Sequence, residues 1–141
     1  MNEYRFEEIT VGMTESFETV VTEQMFEQFL AITGDVNPLH NDTDFAAEKG
    51  HPGRVAFGMM TASFLSTLAG VYLPGKNSLI HEVEVKFARP VYAGDVLCVS
   101  GTVTEINDTF RLFWMKVVIT NQKGEKVLRG KMRVGVLHEG E

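Results

Sequence analysis

A single cysteine, Cys98, stands in 141 residues, so the chain can close no disulfide of its own. Positive charge is the scarcer sign: 13 lysines and arginines face 19 aspartates and glutamates, for a formal net charge of −6. That balance argues against nucleic acid as a partner, because gripping phosphates calls for a basic face. A small anionic ligand needs only a local cluster of cations and is not excluded. Long apolar runs are missing too. The uncharged stretch from Val55 to Gly75 is broken by Gly58, Gly70, Pro74 and four Ser/Thr residues, and reads as a buried helix and not as a membrane span. The opening residues, Met1 to Glu8, lack the basic patch and apolar run of a signal peptide, so the expected address is cytoplasmic.

What is present is a soluble globular composition, 44% hydrophobic and 23% charged, of a length expected to form one domain over residues 1–141. Thr14 to Val20 reads as a short strand. Thr22 can cap a helix from Glu23 to Ile32, in which Met25, Phe26, Phe29, Leu30 and Ile32 gather broadly on one side. From Met59 to Ala69 no residue is charged, and a helix apolar all round should be surrounded by protein. Beyond it the pattern turns to strands. Leu79, His81, Val83, Val85 and Phe87 alternate with charged residues, as do Leu97 to Thr104 with hydroxyls and Leu128 to Val136 with basic side chains. Phe110 to Thr120 is apolar on both faces, which suits a strand buried between layers or at an interface between copies. Four strands in meander order after one buried helix predict an α+β fold, an antiparallel sheet wrapped around that helix.

The densest chemistry lies in Thr33-Gly34-Asp35-Val36-Asn37-Pro38-Leu39-His40. Gly34 permits a bend that other residues resist, and Pro38 pushes Asn37 out of helical conformation. The segment should therefore be a stiff, bent loop holding an acid and an imidazole five residues apart. Proton transfer needs groups positioned before the substrate arrives. Taken singly, Asp35 could be a helix cap and Asn37-Pro38 an ordinary turn. The whole string is more specific than its parts.

With Phe29 upstream and Asn41-Asp42-Thr43-Asp44-Phe45-Ala46-Ala47 downstream, the octet resembles the signature of the MaoC-like dehydratases, the R-specific enoyl-CoA hydratases. The resemblance runs from about Phe29 to Thr104 and implies a hot-dog fold. It also implies hydration of trans-2-enoyl-CoA to (R)-3-hydroxyacyl-CoA, reversible as a dehydration. Asp35 and His40 correspond to the catalytic dyad acting on one water, with Asn37 holding that water or orienting its neighbours. Gly58, at the start of the apolar helix, corresponds to the glycine whose amide receives the thioester oxygen, although a glycine there is equally a plain turn residue. Ser66 falls where relatives often place a serine beside the site; it could as well bond a carbonyl of its own helix. Phe57 departs from the histidine many relatives carry. With Met59 it is expected to narrow the acyl pocket and favour short chains. Lys86 and Arg89 could meet CoA phosphates or form a solvated edge.

No cofactor beyond the CoA carried by the substrate is expected, and His51, His81 and His138 show no metal-ligand spacing. Relatives pair as homodimers or larger homo-oligomers, and the same is expected here. Two rivals stand beside the hydratase. A thioesterase on the same fold commonly places a carboxylate on the central helix, and Thr61 to Ala69 offers none. A non-catalytic acyl-thioester-binding module would have been favoured by loss of Asp35 or His40, and both are present.

Overall fold

Thr22 accepts the amide hydrogen of Met25 on its side chain, at 3.2 Å, and so starts helix α1 (Glu23–Thr33). The helix ends where Gly34 turns left-handed at φ +68°, its amide reaching back to Leu30 at 2.8 Å. Two short helices follow, α2 (Pro38–Asn41) and α3 (Thr43–Glu48). The central helix α4 (Gly58–Thr67) runs on as a π-helical turn, Leu68–Tyr72. The computed structural model describes residues 1–138.

Strands β1 (Thr14–Val20), β2 (Ser78–Phe87), β3 (Val96–Asn107), β4 (Leu112–Thr120) and β5 (Lys126–Val136) form one antiparallel sheet in the order β1-β3-β4-β5-β2. Its inner face carries Leu97 and Val99 from β3, Met115 and Val117 from β4, and Leu128 and Met132 from β5, all buried. These residues pack in one core with Met60, Leu65 and Leu68. Burying such side chains contributes roughly 1.5–3 kcal/mol each, which fixes α4 against the sheet. The predicted α+β architecture is the one observed, with corrections in its details.

The strand order is not the expected four-strand meander. Only β3, β4 and β5 follow one another; β2 crosses to the far edge beside β5, and β1 takes the place beside β3. The connection from Ala88 to Asp95 is too long for a tight hairpin, and it is tied elsewhere: Ala88 bonds Val127, and Val91 bonds Ala56. A second point concerns β4, whose doubly apolar pattern suits a strand buried between layers or at an interface between copies. It lies in the middle of the sheet between β3 and β5. Phe113, Met115, Val117 and Ile119 fill the core, while Trp114 and Val118 are half-buried on the outer face. Third, α4 is not covered all round. Met59 is 65% exposed, and Ser63 and Ser66 are also exposed. The bare apolar edge belongs to β2, where Leu79, Val83 and Phe87 are all exposed. His81, read from its parity as a core or interface residue, is exposed at a register shift in that strand. Among the described residues, no helix is long and apolar enough to cross a membrane.

Candidate active site

The octet folds as a network of its own polar groups. Thr33 donates its hydroxyl to the Phe29 carbonyl and accepts the amide of Asp35, at 2.9 and 3.2 Å. Asp35 Oδ1 accepts the amide of Asn37 at 3.1 Å, and Asn37 Oδ1 accepts the amide of Leu39 at 2.9 Å. These are two successive Asx-turns, which short polar side chains form readily. The second caps α2, with Pro38 at its first turn. Asn41 closes the loop from beneath, its Nδ2 donating to the carbonyls of Asp35 and Asn37. Asp35 remains exposed, and its Oδ2 has no partner among the described residues.

The cap decides where His40 points. From α2, Nδ1 of His40 meets the carbonyl oxygen of Val55 at 2.7 Å. A carbonyl can only accept, so Nδ1 carries the hydrogen, and in the neutral ring Nε2 is left with a free lone pair. The amide of Val55 returns a bond to the Leu39 carbonyl at 3.1 Å, so α2 and Val55 grip each other twice. Phe57 backs the imidazole: the two rings stack with centroids 4.4 Å apart and planes 30° from parallel. Behind Phe57 lie Phe29 and Phe26, at 5.1 and 6.0 Å.

His40 opens onto a cavity of about 330 Å³ whose walls include His51, Val55, Gly58, Thr61, Phe87 and Arg89. Gly58 is the first residue of α4, where amide hydrogens lack intrahelical acceptors and the positive end of the helix dipole lies. A Cβ at Gly58 would come within 3.3 Å of the Phe87 ring, so glycine keeps this wall open. His51 Nδ1 lies 2.8 Å from the Tyr92 hydroxyl. Burial, and then the charge of Asp95, pushes the Tyr92 phenol above its ordinary value, so it stays protonated at neutral pH. Arg89 pairs with Glu125 at 3.2 Å and continues into a surface depression shared with Lys126 and Arg129.

A MaoC-like domain model matches residues 7–125. The chain belongs to the MaoC-like domain family. It is 30% identical over 135 residues to the (R)-specific enoyl-CoA hydratase of Rhodospirillum rubrum, across 96% of this chain and 93% of that one. It is 35% identical over 101 residues to the 3-hydroxybutyryl-CoA dehydratase of Methylorubrum extorquens, across 72% of this chain and 64% of that one. Among solved structures, the (R)-hydratase from A. caviae involved in PHA biosynthesis superposes with a TM-score of 0.89 at 28% identity, covering 93% of this chain and 99% of that one. The hot-dog fold named from the signature is therefore the fold of this MaoC-like chain.

Not every residue singled out in the sequence reaches the cavity. His40, Gly58 and Arg89 line it; Asp35 and Asn37 belong to the loop that aims His40 and lie outside its walls. Phe57 is 1% exposed, so it backs the imidazole and does not line an acyl pocket. Ser66 is exposed on α4 away from the cavity walls, and Met59, also exposed, is not one of those walls. Lys86 sits on the outer face of the sheet, in a groove with Trp114, Lys116 and Arg129. The polar wall and rim residues His51, Thr61, Lys126 and Arg129 carry no mark of the site in the sequence: the spacing of His51 speaks only to metal ligation, and Thr61 is hidden inside an apolar run.

Proposed function

We propose that this MaoC-like chain hydrates trans-2-enoyl-CoA to (R)-3-hydroxyacyl-CoA and catalyses the reverse dehydration. The observation that carries the reading is His40 held by Val55 through Nδ1, which leaves Nε2 of the neutral ring to accept a proton, in one cavity with the amide-rich start of α4. Water adding to an enoyl thioester must lose a proton as its oxygen bonds C3, and C2 must gain one. One O–H bond and the C2–C3 π bond break; one C3–O bond and one C2–H bond form. Nε2 of His40 is the proton acceptor, and Asp35, exposed on the same loop outside the cavity walls, works with it by bonding the far side of the same water. Charge moving onto the thioester oxygen meets the amide of Gly58 and the helix dipole. No electron leaves or enters overall, so the addition requires no redox partner.

The anionic end of CoA has a path across the rim formed by Arg89, Lys126 and Arg129, although the chain as a whole is acidic. This replaces Lys86 with Lys126 as the proposed phosphate contact beside Arg89, with Arg129 at the border between this rim and the outer-face groove that holds Lys86. The cavity volume, near the lower end for small-molecule sites, favours short acyl groups. Self-association belongs to the same reading. Strand β2 is the last strand of the sheet, with one edge free and Leu79, Val83 and Phe87 exposed, and a second copy would cover it.

The direct test follows loss of enone absorbance with trans-2-butenoyl-CoA and then determines the product's configuration. Rapid loss with an R product is expected. No loss, or an S product, would overturn the reading.

A further inference from the structure

Thr61 stands out among the described residues as the polar side chain buried in the core, at 3% exposure. Its hydroxyl finds no hydrogen-bond partner among the described residues, while the nearby Ser63 hydroxyl bonds the carbonyl of Met60. Its oxygen is not among the buried side-chain atoms left without a partner, so it is reached from the cavity that Thr61 lines, where a ligand from outside the chain can bond it.

The neighbours identify that partner. Thr61 lies three residues after Gly58, so both occupy the same side of α4, about 4.5 Å apart along its axis. If the thioester oxygen rests at the Gly58 amide, the carbons beyond C1 extend alongside the next turn, where Thr61 stands. His40 lines the same cavity with Nε2 free. Asn37, the residue expected to hold the reacting water, has its side-chain oxygen committed to the amide of Leu39.

We infer that Thr61 is a positioning residue whose hydroxyl holds the oxygen at C3 of the substrate: water in the hydration direction, the 3-hydroxyl in dehydration. The inference deepens the hydratase reading and rests on it for the identity of that oxygen. One hydrogen bond from Thr61, with Nε2 of His40 accepting the proton, fixes the oxygen at two points before the reaction begins.

The test is calorimetric titration in an Asp35→Asn background, which slows turnover, with (R)-3-hydroxybutanoyl-CoA and with butanoyl-CoA, which lacks the 3-oxygen. The background protein should bind the hydroxylated ligand about three- to tenfold more tightly, as one hydrogen bond supplies. Thr61→Val should reduce that ratio severalfold, to what the contact with His40 alone supplies, leave butanoyl-CoA affinity in place and melt no earlier than its parent. Thr61→Ser should restore the ratio. If Thr61→Val does not fold, Thr61→Ala is read in the same way. In the otherwise intact chain, Thr61→Val should lower kcat for trans-2-butenoyl-CoA about tenfold with little change in KM. A missing preference for the hydroxylated ligand, or one that Thr61→Val leaves unchanged, overturns the inference even if the parent chain hydrates. A preference reduced by Thr61→Val in a chain without hydratase activity leaves the oxygen-holding site standing and removes the hydratase reading.

Discussion

His40 donates from Nδ1 to the carbonyl oxygen of Val55, fifteen residues along the chain and 2.7 Å away. That bond makes the backbone of one loop set the tautomer of a side chain on another. Val55 is itself anchored on its other side, bridged to Tyr92. The imidazole is therefore oriented by main-chain geometry on one edge and by the Phe57 ring on one face.

Phe57 carries the first prediction. Because it is buried between His40 and two further phenylalanines, Phe57→Ala should leave a core cavity and lower stability by about 3–5 kcal/mol. Turnover should fall with the loss of the ring behind His40, and long enoyl chains should gain nothing relative to short ones. Denaturant unfolding, with relative rates on a short and a long substrate, checks both parts.

Asn37→Ala removes the side-chain cap of α2. A lost cap of this kind destabilises by about 1 kcal/mol. Here it should also release His40 from its aim, so kcat should drop while the fold persists. Unchanged kcat with a lowered melting point would limit Asn37 to a purely local structural role.

At the cavity rim, reversing charge at Lys126 and Arg129 should raise KM for enoyl-CoA and leave kcat nearly unchanged, because the contacts proposed there lie far from the reacting carbons. Added salt should raise KM of the parent and do so less for the double charge variant. Steady-state kinetics at two ionic strengths would measure this.

Light scattering checks the bare edge of β2. The parent should show a multiple of the 15.8 kDa chain mass. Val83→Lys, on the same face of β2 as exposed Phe87, should shift it toward one chain.

Much of this was legible locally. The Thr22 cap, the alternation along β3 and β5 and the bend at Gly34 each depend on residues close in sequence, and each stands where the pattern placed it. The order of strands was not legible, because pairing β2 with β5 is a non-local choice governed by the route from Ala88 to Asp95. Phe57 looked like a pocket residue through its adjacency to Gly58. At the start of a helix, however, consecutive side chains diverge, and the glycine faces the cavity while the ring enters the core. Lys86 stands three residues before Arg89 in one stretch of the chain, yet strand parity sends it to the outer face. Lys126 reaches the rim from another strand, and no local signal marks it.

The central claim is that Asp35 and His40 serve one event on one water, and the kinetics of three variants test it most directly. Asp35→Asn and His40→Ala should each lower kcat for trans-2-butenoyl-CoA by ~10²-fold or more, as general acid–base groups typically supply. The double variant should be little worse than the poorer single one, because residues acting in one step are not additive. Circular dichroism must first show both singles folded, since Asp35 also accepts the amide of Asn37 within the loop. Two folded single variants with near-parental turnover would contradict the claim.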